Sequence, residues 1–266
     1  MNGFDYHRPA TVDAAVAARR AAADGAYLAG GMTLIPTLKQ GLAQPSDLID
    51  LGAVAGLAGV TASGETVVVG AMTRHADVAA SPEVRRAIPA LADLAGQIGD
   101  AQVRNRGTIG GSLANSDPAA DYPAAVIGLG ATVRTDRRAI AADDYFTDLF
   151  ETALEPGELI RAVEFPVPRR AAYRKFPHPA SRYAVAGVFV AEFGGRFRVG
   201  VTGAGPCAFR LTALEEALAR GVDPAAADGV AIDSSRFNSD LHASADYRAQ
   251  LVRVMARRAI AALAGR

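Results

Sequence analysis

Cysteine is nearly missing from this sequence: Cys207 is the single one in 266 residues. One thiol forms no internal disulfide. It also excludes an iron–sulfur cluster held by this chain alone through four thiolates and a structural zinc site built on several cysteines. The four histidines, His7, His75, His178 and His242, are scattered, with no HxxxH or HxH spacing. Tryptophan is absent. No apolar run approaches the roughly 18 residues of a membrane-spanning helix, and the N-terminus, with Asp5, His7 and Arg8, lacks the apolar core of a signal peptide. A cytoplasmic protein is the expectation. Neither sign of charge is in excess, with 28 basic against 28 acidic residues, so nothing favours a nucleic acid or an anionic membrane as partner.

What is present is apolar bulk and glycine. Half of the residues are hydrophobic, enough for one compound domain or two modest ones. Two glycine pairs stand out. Ala29-Gly30-Gly31-Met32-Thr33-Leu34 follows a short apolar start. The longer stretch Gln102 to Asp121 contains Thr108-Ile109-Gly110-Gly111-Ser112, then Asn115, Asp117 and Asp121. A glycine pair lets backbone N–H groups approach a ligand, because no Cβ intervenes, and converging N–H groups favour an anion such as phosphate. An acid a short distance on can accept hydrogen bonds from sugar hydroxyls. A lone pair is weak evidence, being more often a turn or bulge. Two pairs in one chain fit the two phosphates of a dinucleotide.

The rest of the pattern alternates short strands and helices. An extended segment ends at Pro9, and Thr11 caps an alanine-rich helix from about Val12 to Ala23. Tyr27 to Ala29 reads as a strand, Thr33 to Gln40 as a helix and Leu48 to Leu51 as a strand. The first lobe ends near residue 53. Ser63 to Thr66 is a hairpin turn before a β-branched strand. Thr73 is expected to cap a helix through Ala79, and a second helix spans about Ala87 to Ile98. The glycine-rich stretch follows, read as passing through a tight glycine turn. Asp121 to Leu129 reads as a short helix, and strands cover Ala131 to Thr135 and Leu159 to Phe165. Pro166 to Arg170 reads as a stiff, exposed linker closing a second lobe of about 54–168. Beyond it, Gly194-Gly195 joins two strands in a hairpin, and Tyr247 to Leu263 is amphipathic, with Leu251, Met255, Ile260 and Leu263 on roughly one face.

Both glycine motifs and their flanks resemble the flavin-binding medium subunits of molybdenum hydroxylases, the xanthine dehydrogenase and aerobic carbon monoxide dehydrogenase family. Ala29 to Leu34 fits Ala-Gly-Gly-x-[Ser/Thr]-Leu. Gln102 to Gly111, with Ala114, Asp117, Pro118 and Asp121, fits the second, longer motif. Phe4-x-Tyr6-x-x-Pro9, Tyr173 to Phe176, Tyr247-Arg248 and Arg257 to Ala259 also fit, so the likeness spans nearly the whole chain. The resemblance implies an α+β fold: a two-lobed FAD-binding domain of the vanillyl-alcohol oxidase (PCMH) type over 1–168, then a small α+β C-terminal domain over 171–266. It implies FAD between the lobes with its pyrophosphate on both glycine loops, an iron–sulfur [2Fe–2S] partner subunit, a molybdenum-cofactor large subunit, and assembly as a dimer of heterotrimers. Electrons would leave through FAD to an external acceptor.

The same resemblance names residues. Ala29, Gly30, Gly31, Met32, Thr33 and Leu34 would form one phosphate loop, and Thr108, Ile109, Gly110, Gly111 and Ser112 the other. Ser112 stands where many relatives carry Asn or Asp, so the backbone is the expected contact there. Asn115 would bond an FAD hydroxyl or phosphate, and Asp121 the FAD ribitol or ribose. Asp117 fits either a site role or a helix N-cap followed by Pro118. Ile160 matches a backbone position near the adenine, Lys175 one near the flavin ring, and Tyr183 one covering the flavin face; ordinary strand roles fit Lys175 and Tyr183 equally. Arg104 flanks the loop. Cys207 reads as a small buried apolar residue. No residue is needed as a general acid or base. The rivals are a self-sufficient flavin oxidase or reductase with non-covalent FAD, and a non-catalytic nucleotide-sensing module.

Overall fold

A computed structural model describes residues 3–265; residues 1, 2 and 266 of the expected spans lie outside the described ones. The chain opens with a small parallel sheet. Strand Asp47–Asp50 lies between Asp5–His7 and Gly25–Leu28. Helices Val12–Ala21 and Leu34–Lys39 are the crossovers, which parallel pairing requires. Thr11 caps the first helix, accepting from the Ala14 N–H at 3.2 Å. Ala15, Val16 and Ile49 form a small core there with Leu51, Val54, Leu57 and Leu159.

The second lobe is a five-stranded antiparallel sheet in the order Val60–Ser63, Thr66–Gly70, Ile160–Pro166, Thr132–Thr135, Ala139–Ala141. The ladder breaks register between Ile160 and Ala162. Six short helices between residues 75 and 129 cover it. Three expectations change here. The helix expected over 87–98 starts later, as Pro89–Gly96, and a separate helix Pro82–Ala87 precedes it, because Pro89 bars Ile88 from helical geometry; Ile88 sits at φ −138°, ψ 70°. Thr73 does not cap the next helix, since its hydroxyl is spent on the Gly59 backbone at 3.0 Å in both directions. The stretch read as a glycine turn is two helices, Ala101–Arg106 and Ile109–Asn115, parted by Gly107 and Thr108.

The C-terminal part is a four-stranded antiparallel sheet, Arg170–Pro177, Ala184–Phe193, Arg196–Thr202 and Phe209–Arg210, in sequence order. Gly194 and Gly195 make its hairpin with φ of 57° and 88°, values that favour glycine. Strand Ala184–Phe193 is buried from Ala184 to Glu192. Val185, Val188 and Val190 face helix Ala245–Leu263 and its Leu251, Met255, Ile260 and Leu263. Phe189 and Ala191 join Tyr173 in the core of the second lobe. That two-sided burial corrects the linker: Pro168 is buried, and Val167 donates to Glu65 O at 2.7 Å. Buried Arg248 fastens the long helix to the sheet, donating to the carbonyls of Val185 and Gly203 at 2.8 and 2.7 Å. Buried Glu192 pairs with Arg169 and Arg170, and Arg170 reaches Leu263 O at 2.9 Å.

The sheet meets the second lobe along helix Tyr122–Leu129, and the approach depends on Gly200. A Cβ on Gly200 would lie 2.2 Å from Ala124 O and 2.7 Å from Gly128 N. Gly200→Ala is therefore expected to cost about 1–3 kcal/mol by overpacking, lowering Tm by roughly 2–4 °C for each kcal/mol. Thermal melts followed by circular dichroism check this against the wild type.

Candidate functional site

The two glycine motifs touch backbone to backbone. A Cβ on Gly30 would sit 2.2 Å from Arg106 O and 2.8 Å from Gly107 Cα, and one on Gly110 would sit 2.6 Å from Ala71 Cβ. Gly31 stands at φ +74°. Gly30 thus allows one motif to close on the other, and Gly110 lets the second motif pack on Ala71.

The motifs then differ in what they leave open. In the second, Ile109 N donates to Thr73 O at 3.1 Å, Gly110 N to Ala71 O at 2.8 Å and Ser112 N to Thr108 O at 3.0 Å. The Thr108 hydroxyl caps the helix by accepting from Gly111 N at 3.2 Å. All four donors are engaged. In the first motif, no N–H group from Gly30 to Leu34 donates to any described residue. Thr33 precedes helix Leu34–Lys39 without a side-chain cap, so its hydroxyl is also uncommitted there. Of the two loops expected to offer open N–H groups, only the first does.

Both motifs line a cavity of about 710 Å³, within the size range of ligand sites. Its wall takes in Ala29, Gly30, Gly31, Met32, Thr33, Leu34, Thr108, Gly110, Gly111, Ser112, Asn115, Asp117, Asp121, Ile160 and Tyr183. Two expected residues stand back from it. Ile109 is wholly buried in the core. Lys175, with 3 % of its side chain exposed, lies behind the wall. Its ammonium donates to Gln97 O at 2.9 Å, Asp121 Oδ2 at 3.0 Å and Arg182 O at 2.8 Å. Asp121 also accepts from Tyr173 Oη at 2.6 Å. Burial pushes the Asp121 carboxyl up, opposed by the Lys175 charge and both hydrogen bonds. This buried ion pair joins the second lobe to the C-terminal sheet and anchors the segment Ala180 to Tyr183, which closes one side of the cavity.

Asp117 begins no helix; it makes a turn, its Oδ1 accepting from Ala119 N at 2.9 Å, and burial raises its pKa. The Arg104 guanidinium is spent on Ile98 O and Gly99 O at 3.0 and 2.9 Å and is off the cavity wall. Cys207 is half-buried, and burial raises its thiol. Sequence reasoning missed His75, Tyr27 and Glu158, all on the wall. Tyr27 donates to Gly157 O at 3.1 Å, and burial pushes its phenol up to about 12. Burial, helped by the Arg104 charge, pushes His75 down to about 4. None of the three belongs to a glycine motif, and their neighbours are distant in sequence, so no local signal marked them.

Residues 2–168 match the family described as the FAD binding domain in molybdopterin dehydrogenase. The chain belongs to the FAD-binding medium subunits of the molybdenum hydroxylases. It is 37 % identical to the carbon monoxide dehydrogenase medium chain of Hydrogenophaga pseudoflava over 97 % of this chain and 96 % of that one. It is 36 % identical to the 6-hydroxypseudooxynicotine dehydrogenase complex subunit alpha of Paenarthrobacter nicotinovorans, over 97 % and 93 %. Reconstituted carbon monoxide dehydrogenase from Oligotropha carboxidovorans superposes with a TM-score of 0.92 at 35 % identity, covering 100 % of this chain and 99 % of that one. The likeness over the full length bears out the two-lobed FAD domain followed by a small α+β part. The chain is thus an oxidoreductase subunit whose cofactor is FAD. The cavity fits that cofactor: open N–H groups suit a pyrophosphate, Asn115, Asp117 and Asp121 suit hydroxyls, and apolar Ile98, Val103 and Leu159 suit rings. Among the described residues no helix is long and apolar enough to cross a membrane.

Two outcomes test this geometry. Gly30→Ala should drive the motifs apart; overpacking of about 1–3 kcal/mol falling on the site lowers FAD affinity about ten- to a hundredfold. Flavin titration reads the loss, with far-UV circular dichroism unchanged. At the cavity rim, buried Glu158 accepts from Thr135 Oγ1 at 2.7 Å, Arg138 at 3.0 Å and Glu155 N at 2.8 Å. Burial alone would raise its carboxyl, but these bonds and the Arg138 charge hold it at about 2, against an ordinary 4.5. A depressed carboxylate stabilises the fold fully above its unfolded pKa and less as pH falls through the folded one. Stability should therefore decline between about pH 4.5 and 2, and Glu158→Gln should flatten that decline in melts across this range.

Proposed function

We propose that this chain holds FAD between its parallel-sheet lobe and its antiparallel-sheet lobe, within residues 1–168, as the electron-transfer subunit of a molybdenum-containing hydroxylase. The carrying observation is the run of five uncommitted N–H groups, Gly30 to Leu34, on the wall of a cavity of about 710 Å³. These groups bind the pyrophosphate. Thr108 to Ser112 fix the second motif as the floor against which the first is held. Asn115 and Asp121 take hydroxyls, the Ile160 backbone lies toward the adenine, and Tyr183, on the segment that Lys175 anchors, covers the flavin. Residues 171–266 form a C-terminal domain of the carbon monoxide dehydrogenase flavoprotein type that carries this segment.

Bound FAD supplies the redox chemistry, relaying electrons from the clusters of a [2Fe–2S] subunit to an external acceptor. The large subunit carries the molybdenum cofactor and selects the substrate, and the complex is a cytoplasmic dimer of heterotrimers. With one cysteine, this chain cannot supply the four thiolates a cluster typically takes.

The purified chain should be yellow, carry neither iron nor molybdenum, and lose its flavin absorbance on adding dithionite. Mixed with candidate substrates and an electron-accepting dye, it should reduce no dye until the two partner subunits are added. Substrate-dependent dye reduction by the single chain would replace the subunit reading with that of a self-sufficient oxidase.

A further inference from the structure

His75 opens helix His75–Ala80, is 5 % exposed and lies on the cavity wall. Its ring packs against Tyr122, with centroids 5.3 Å apart. Its backbone N–H donates to Gly107 O at 3.0 Å. The ring edge fills the space a side chain on residue 107 would need: a Cβ there would lie 2.6 Å from Nε2 and 2.9 Å from Cδ2. His75 is thus pinned at the joint where Gly30 meets Arg106 and Gly107.

The two ring nitrogens differ. Nδ1 is sealed from solvent and has no hydrogen-bond partner. Nε2 bonds no described residue either, but it is not sealed; it faces Gly107, which lines the same cavity as His75. With its pKa pushed down to about 4 by burial, the ring is neutral at pH 7 and carries one N–H. A buried N–H without an acceptor is the rarer and costlier arrangement, which places the proton on Nε2. The result is a fixed donor with no protein acceptor, beside the open N–H groups of the first motif.

We propose that His75 donates from Nε2 to a pyrophosphate oxygen of the dinucleotide, as a binding residue outside both glycine motifs. This rests on the FAD reading above. A donor held rigid by the Tyr122 and Gly107 contacts loses little freedom when it binds. The arrangement also predicts opposite effects on affinity and stability. Replacing the imidazole with an apolar side chain removes the donor and, in the same step, a sealed nitrogen without a partner.

The experiment compares wild-type protein, His75→Leu and His75→Gln, the last retaining an N–H donor. Dissociation constants are measured for FAD and for ADP-ribose, which has the pyrophosphate but no flavin. Apo-protein Tm is measured in parallel, and ¹⁵N NMR reports the His75 tautomer in the wild type. Expected are an Nε2–H tautomer whose resonances shift on adding either ligand, about tenfold weaker binding of both ligands by His75→Leu, binding by His75→Gln close to wild type, and no fall in apo Tm for His75→Leu. Unchanged ligand binding by His75→Leu would overturn the proposal. So would an Nδ1–H tautomer, a loss confined to FAD, or an equal loss in both variants that tracks a lowered apo Tm. Wild-type protein that takes up no FAD would instead remove the cofactor reading itself.

Discussion

The approach of Gly30 to the carbonyl of Arg106 and the Cα of Gly107 is the contact on which the site depends. It brings a loop of the parallel lobe against the break between two helices of the antiparallel lobe. No residue with a side chain fits at that distance. Once closed, the contact leaves the N–H groups of Gly30 to Leu34 without protein partners, on a loop where Met32 and Thr33 are exposed. These donors stay free for an anionic ligand. The second motif offers none of its own, because Thr73, Ala71 and Thr108 engage them.

The C-terminal sheet does more than follow the FAD domain. Its first strand brings Tyr173 and Lys175 to Asp121, and both of its first two strands share a core with the second lobe. Removing either charge of a buried pair leaves the other uncompensated, so Asp121 and Lys175 act as one unit. That unit ties three things together: the carbonyl of Gln97 at a helix end, the acid on the cavity wall, and the segment ending in Tyr183. The side chain expected near the flavin ring thus holds the wall from behind.

Much of this was legible in the sequence, where signals were local. Gly194-Gly195 gave the hairpin, Thr11 the first cap, and the spacing of Leu251, Met255, Ile260 and Leu263 the buried face of the long helix. Both glycine motifs line the cavity they were expected to line. What escaped was set at long range. Glycine content suggested a tight turn within the second motif, but Asp100 and Thr108 each cap a helix there. Pro166 and Pro168 suggested an exposed linker, but Pro168 is buried and the strand Ala184–Phe193 beyond it is buried on both faces. Lys175 and Asp121 are 54 positions apart. The surroundings of His75 come from Gly107 and Tyr122, which no periodicity connects to it.

The central claim is a division of labour: the first motif binds the anion and the second supports it. Amide hydrogen exchange, resolved by residue and measured with and without FAD, tests it most directly. The account predicts that the amides of Gly30, Gly31, Met32, Thr33 and Leu34 exchange rapidly in the apo-protein and slow markedly on binding. Those of Ile109, Gly110, Gly111 and Ser112 should be protected in both states. Protection gained equally by both motifs, or by the second alone, would contradict it.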